Sequence, residues 1–202
     1  MKIDRRKPLN ANVGLVGVGL DTYWEQFDGL YEVMLEKTRV LEAKLAKHAV
    51  TTHHFGIIDN AKKAYAVLPA MKAADLDVLF IDMVTYATSA TFGVIARELD
   101  IPIVLVVLQP LSAMDYVNAT TYMQLCNDDF CSIPEFTGVA RRMGKPVPPI
   151  ILGTLHDDPL AEAELAEWCQ IAKALHDLRR ARLGLMGHVL ESMLDMHTDP
   201  TA

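Results

Sequence analysis

Apolar runs of strand length recur along the chain and alternate with segments of helical periodicity. Three runs, at residues 13–18, 78–83 and 101–108, are apolar almost throughout rather than alternating. Such runs are typical of strands that are covered on both faces in a parallel sheet. A fourth run, 50–58, is more polar. We expect it to form a strand nearer an edge of the same sheet.

Helical spacing fills the gaps between these runs. Between residues 22 and 48, apolar side chains recur every three or four positions opposite a charged side, which predicts an amphipathic helix. Gly29 lies inside it, so the first turn is expected to be separate. A second helix is predicted to run from a cap at Asp59 or Asn60 to about residue 74. A short third helix is predicted from Thr88 or Ser89 to about residue 99.

The resulting order, β-α-β-α-β-α-β, predicts an α/β fold. We expect a doubly wound parallel sheet, flavodoxin- or Rossmann-like, in three layers with right-handed crossovers. Ligands on such sheets bind beyond the carboxyl ends of the strands. The candidate functional loops are therefore residues 17–23, 83–88 and 109–115.

The last third of the chain gives weaker signals. Residues 115–130 are compatible with a helix, and 144–149 read as a proline-stiffened connector. Asp158 as N-cap and Pro159 as the first helical residue predict a helix start. Residues 182–187 are similar in pattern to 13–17, so we expect a second α/β unit to begin there. The predicted division is thus an N-terminal domain, 1–157, and a linking helix with the truncated start of a second domain, 158–202.

Composition narrows the function classes. With 202 residues of which 51% are hydrophobic, the chain can bury a core. A balance of 19 Lys and Arg against 26 Asp and Glu, net −7, argues against binding to duplex nucleic acid. The longest uncharged apolar run, 101–114, is too short to span a bilayer, so we expect no membrane partner. Cysteines at 126, 131 and 169 form no disulfide framework, which favours reduced thiols and a cytoplasmic location.

Few residues form a motif of known chemistry. The glycines after the first strand depart from the Gly-x-Gly-x-x-Gly dinucleotide pattern, because Thr22 occupies the third position. They indicate a tight turn rather than a phosphate site. His53 and His54 are adjacent, so a strand would point them to opposite faces. The spacing of Cys126 and Cys131 is not that of a zinc knuckle. We therefore predict no metal site and no catalytic residue in this chain.

Three residues at the candidate edge have two interpretations each. The Asp82 carboxylate either caps loop amides or faces a ligand crevice. Tyr86 either packs on its own domain or stacks on a sugar ring, whose C–H bonds suit an aromatic face. The Gln109 amide either binds hydroxyl groups or closes the turn before Pro110.

An ordered set of segments resembles the L-arabinose and L-fucose isomerase family. The resemblance covers nearly the whole chain, although no single motif is highly specific. The segments are 14–27 (GLVGVGLDTYWEQF), 77–89 (DVLFIDMVTYATS), 101–110 (IPIVLVVLQP), 123–125 (MQL), 135–143 (EFTGVARRM) and 187–199 (GHVLESMLDMHTD).

The resemblance implies the N-terminal portion of an enzyme that interconverts an aldose and a ketose with a divalent cation, usually Mn²⁺. The metal ligands would belong to a part of the chain beyond this sequence, and the family forms homo-oligomers. The implied contacts to a small sugar substrate fall on the loops after the strands and on one methionine early in the second domain. They are Gly19, Tyr23, Thr85, Tyr86, Gln109 and Met193.

The chain also departs from the family pattern. Arabinose enzymes carry Gln and His just after the first strand, where this chain has Gly19 and Leu20, and they carry a His near the positions of Phe130 and Cys131. These differences favour a sugar other than L-arabinose. Two alternatives remain open: a non-catalytic sugar-binding module that resembles one lobe of a periplasmic-binding-type protein, and an oligomerisation module.

Overall fold

Five parallel strands form a single sheet in the order β2-β1-β3-β4-β5. The structure is a computed structural model and describes residues 9–184. The strands are β1 (Asn12–Val18), β2 (Thr51–Ile58), β3 (Val78–Asp82), β4 (Ile103–Gln109) and β5 (Ile150–Thr154). This order is that of flavodoxin-like folds, in which the direction of winding reverses between β1 and β3. The predicted doubly wound α/β fold is confirmed, and β2 lies at the edge as expected.

Helices cover both faces of the sheet. They are α1 (Asp21–Gln26), α2 (Leu30–Ala46), α3 (Ala61–Ala73), α4 (Ser89–Glu98), α5 (Thr121–Cys126), α6 (Ile133–Arg142) and α7 (Pro159–Arg179). On one face, Leu41 of α2 and Leu165 of α7 pack in a buried cluster with β1, β3 and β4. On the other face, α3, α4 and α6 pack together, and the Phe92 and Phe136 rings stack with centroids 4.9 Å apart. The result is three layers.

Several predicted helix starts are confirmed. Gly29 adopts φ 77°, a left-handed conformation that glycine tolerates best, and it separates α1 from α2. The Asn60 side chain accepts a hydrogen bond from the Lys63 amide at 2.9 Å and so caps α3. The Asp158 carboxylate caps α7 by accepting from the amides of Leu160 and Ala161, both at 3.1 Å.

The C-terminal third differs in part from the expectations. The helix expected over 115–130 is only α5, because Asp115 accepts hydrogen bonds from the amide of Val117 and the side chain of Asn118 and so forms a turn. Strand β5, which follows the proline-stiffened connector, was not predicted from the sequence. Residues 182–184 are not in a strand, and the rest of the expected second unit lies outside the described residues.

Helix α7 packs as part of the described domain. The buried Asp77 carboxylate, just before β3, accepts from the Asn12 amide at 2.8 Å, lies 2.8 Å from His176 Nδ1 and also pairs with Arg179. These contacts fix the end of α7 to the amino edge of the sheet. None of the helices within residues 9–184 has the length and apolar character needed to cross a bilayer.

Candidate functional site

The glycines at the carboxyl end of β1 are required by packing. A Cβ on Gly17 would lie 2.9 Å from Thr38 Oγ1, and one on Gly19 would lie 2.8 Å from the Trp24 ring. Both glycines are buried, so neither presents backbone amides to an approaching phosphate. This supports the interpretation of the motif as a tight turn.

The loop after β1 is held to the end of β2 by a buried acid. The Asp59 carboxylate accepts from Trp24 Nε1 at 2.8 Å and from Lys63 Nζ at 2.5 Å. Asn60 reaches back and donates to Asp21 at 3.0 Å. The start of α1 is therefore attached to the start of α3, and the side chain of Trp24 covers Gly19.

A buried group of charges lies at the point where the winding of the sheet reverses. Asp82 is the last residue of β3, and its Cα pairs with that of Gly17 on β1. Lys37 of α2 donates to Asp129 Oδ1 at 2.6 Å, to the Val84 carbonyl at 2.9 Å and to the Cys126 carbonyl at 3.2 Å. Asp82 Oδ2 and Asp129 Oδ2 have no hydrogen-bond partner among the described residues. The ammonium of Lys37 is thus the cation that interacts with both buried carboxyls, Asp129 by a hydrogen bond and Asp82 through its charge.

Burial dominates the protonation of this group. It raises the pKa of Asp82 to about 6, and the opposing effects of the Lys37 ammonium and the Thr38 hydroxyl are smaller. Burial likewise raises the pKa of Asp129 to about 7, against the attraction of Lys37. Because the two carboxyls interact, protonation of one changes the pKa of the other, and they titrate as a coupled pair. Asp82 is 3% exposed and its side chain accepts no hydrogen bond from a loop amide within residues 9–184, so it lies beneath the loops.

Residues 126–132, here called the bridging segment, connect the loops that follow β3 and β4. The Asn127 carbonyl accepts from Gln109 Nε2 at 2.8 Å, and its side chain accepts from the Leu111 amide at 3.0 Å. At the other end, Ser132 Oγ accepts from the Ala87 amide at 2.7 Å. Asp129 lies between them and pairs with Lys37. A single segment therefore positions both loops.

A polar cavity of about 380 Å³ opens at the carboxyl end of β4. Its walls include the side chains of Gln109, Gln124, Asn127 and Asp128 and the loop 111–116. The side-chain amides can donate and accept hydrogen bonds and the carboxylate can accept them, which suits a ligand rich in hydroxyl groups. A second cavity, of about 430 Å³, lies at the opposite, amino edge and is mainly apolar, with prolines 146, 148 and 149 and Trp168 in its wall.

Two tyrosines flank the bridging segment. The Tyr86 hydroxyl donates to Glu135 at 2.9 Å, and this bond is the main reason that the pKa of Tyr86 is raised. Burial, followed by the charge of Asp128, raises the pKa of Tyr23. Burial also raises the pKa of the Cys131 thiol to about 12. Cys131 is therefore a thiol near neutral pH and a poor nucleophile.

The structure places five of the six predicted contact residues at the carboxyl edge of the sheet. Tyr23, Tyr86 and Gln109 are half-buried and lie around the bridging segment. Gly19 and Thr85 are buried beneath them, and the Thr85 hydroxyl has no partner among the described residues. Met193, the sixth, lies outside the described residues.

Sequence reasoning missed the residues that organise this edge. Lys37 and Lys44 are both buried and lie seven positions apart, on the same face of α2 as Met34 and Leu41. The sequence does contain one signal for these residues, a lysine on the apolar face of an amphipathic helix. Such a lysine is expected to be buried, and a buried ammonium requires a hydrogen-bond or charge partner. Nothing local in the sequence identifies Asp129 as that partner.

The described residues do not fit the implied Mn²⁺. Manganese is suited by carboxylate, carbonyl and water oxygens, yet the Asp129 carboxylate is engaged by the Lys37 ammonium and the Asp77 carboxylate is paired with His176 and Arg179 at the other edge. Within residues 9–184 no group of three or more His, Cys, Asp or Glu side chains is placed to hold a metal. We therefore assign no chemical step to a metal here.

Comparison with known proteins leaves the site to be interpreted from its own geometry. The chain matches no protein-family model, and no curated protein matches it.

Proposed function

We propose that this chain contributes the sugar-covering edge of a metal-dependent aldose–ketose isomerase, of the kind that its sequence resembles. The observation that carries the proposal is the polar cavity at the carboxyl end of β4, bounded by the amides of Gln109, Gln124 and Asn127 and by Asp128. This is the edge at which doubly wound sheets bind ligands.

Each group has a role that its environment permits. The Asp128 carboxylate and the side-chain amides bind the hydroxyl groups of the sugar, since they offer both donors and acceptors. Tyr86 lies outside the wall of this cavity and is held by Glu135 through its hydroxyl, so the role assigned to it is that its ring covers the apolar face of the sugar from beside the cavity. The role assigned to the chain is binding and covering. Proton transfer between the sugar carbons is assigned to no residue described here.

The test is a titration of the ¹⁵N-labelled chain with L-arabinose, L-fucose and related pentoses and 6-deoxyhexoses, followed by NMR. We expect saturable shifts in the side-chain amide signals of Gln109, Gln124 and Asn127. The amide of Gln170, exposed on α7, is the internal control and should not move. Absence of saturable shifts with every sugar would overturn the proposal.

A variant pair sharpens the test. Asp128→Asn is expected to weaken sugar binding about tenfold, the usual effect of losing a charged hydrogen bond. Asp100→Asn removes a fully exposed carboxylate at the amino end of β4 and should leave binding unchanged. A covering edge contacts one side of the sugar and should bind weakly. Micromolar binding without metal would instead favour the non-catalytic sugar-binding module.

A further inference from the structure

We infer that Lys37 is a positioning residue: by holding the bridging segment, it sets the geometry of the loops that form the candidate site. The geometric part of this inference stands on the described contacts alone, whereas its effect on sugar binding rests on the proposed function.

The contacts of Lys37 converge on the places where the loops leave the sheet. Its ammonium donates to the carbonyl of Val84, in the loop after β3, and to the carbonyl of Cys126, at the start of the bridging segment. Its third contact, with Asp129, fixes the middle of that segment. An ammonium has three protons, and all three are used.

The segment passes this constraint to both loops. Ser132 receives the Ala87 amide, which places the loop carrying Tyr86. Asn127 receives the Gln109 side chain and the Leu111 amide, which places the wall of the polar cavity. Without Lys37, the bridging segment would no longer be fixed to α2, and both loops would lose the support that this segment gives them.

Another lysine of the same helix supplies a matched control. Lys44 is also buried and also forms an ion pair, with Glu162 of α7, but this pair lies away from the bridging segment. Removal of Lys37 alone leaves the fully buried Asp129 unpaired and destabilises the fold, whereas the Glu162 side chain is 35% exposed and can be solvated when Lys44 is removed. To treat the two pairs alike, the informative variants remove both charges of each pair: Lys37→Met with Asp129→Leu, and Lys44→Met with Glu162→Leu.

Hydrogen exchange followed by mass spectrometry measures the geometric part. In the Lys37/Asp129 double variant we expect the amides of Ala87 and Leu111 to exchange at least tenfold faster than in the wild type. In the Lys44/Glu162 variant they should exchange at the wild-type rate. Urea unfolding of both variants identifies global destabilisation, which would accelerate exchange in every strand. Equal exchange at Ala87 and Leu111 in the two variants would overturn the inference.

Sugar titration measures the functional part. We expect at least tenfold weaker binding in the Lys37/Asp129 variant and unchanged binding in the Lys44/Glu162 variant. If the loops loosen as expected but the wild type binds no sugar, the proposed function fails and the positioning role stands. If the wild type binds sugar and the Lys37/Asp129 variant binds it equally well with unchanged exchange, the positioning role fails and the proposed function stands.

Discussion

Replacement of Asp82 by Asn should make the protein less sensitive to rising pH. Asp82 is 3% exposed and its Oδ2 has no partner among the described residues, so its ionised form is unfavourable in the folded state. Its pKa is raised from 3.8 to about 6. Because the folded pKa lies above the unfolded one, the folded state binds the proton more tightly, and stability falls as pH rises from about 4 to 6.

The size of the effect follows from the shift in pKa. A difference of about 2 units corresponds to about 3 kcal/mol of stability lost between the protonated and ionised forms. Asn cannot ionise, so Asp82→Asn lacks this loss. At pH 4 the unfolded carboxyl is already about half ionised, so the free energy of unfolding of the variant, minus that of the wild type, should rise by about 2 kcal/mol between pH 4 and pH 7. Contributions from the other carboxyls largely cancel in this difference, apart from that of the interacting Asp129.

Urea unfolding at half-unit pH steps, followed by circular dichroism, provides the assay. Asp100→Asn, at a fully exposed carboxylate, is the control variant. A flat or falling curve for Asp82→Asn would refute the reasoning. It would mean that the Asp82 carboxylate is as well stabilised in the folded protein as in water.

Three further substitutions test the packing, each by urea unfolding. Gly17→Ala should cost about 1–3 kcal/mol because the new methyl group meets Thr38, and a neutral effect would contradict that contact. Phe136→Ala should cost about 3–5 kcal/mol because the ring is fully buried and stacked, and a loss below about 1 kcal/mol would show that the stacking contributes little. Asp158→Ala should cost about 1–2 kcal/mol through loss of the α7 cap, whereas Glu164→Ala, at an exposed position of the same helix, should cost less; equal losses would argue against capping.

The sheet could be predicted because its signals are local. Strands β1, β3 and β4 are continuous apolar runs, and the more polar β2 was placed at the edge on composition alone. Strand β5 escaped because its short apolar stretch follows a proline-rich connector and has too few residues to show a period. The helix expected over 115–130 was too long because Asp115 forms a turn that a periodicity argument does not weigh.

The candidate site was predicted only as an edge. The rule for carboxyl ends placed Tyr23, Tyr86 and Gln109 correctly at that edge, but the contacts that organise them join distant parts of the chain. Lys37 and Asp129 are 92 positions apart, and Gln109 and Asn127 are 18 apart. No spacing rule relates such pairs, because they are brought together by the packing of α2 and of the bridging segment on the sheet.

The electrostatics of the two edges also decide which cavity is the better functional candidate. The amino-edge cavity is the larger of these two by volume, but its wall is mainly apolar, and the buried acid of the amino edge, Asp77, has partners on both carboxylate oxygens. At the carboxyl edge, two buried acids share one lysine and keep unpaired oxygens, an arrangement that costs stability. Perturbed carboxyls of this kind concentrate at functional sites. This loss of stability occurs at the carboxyl edge, where the winding of the sheet reverses. The polar cavity at that edge is therefore a better functional candidate than the larger apolar cavity.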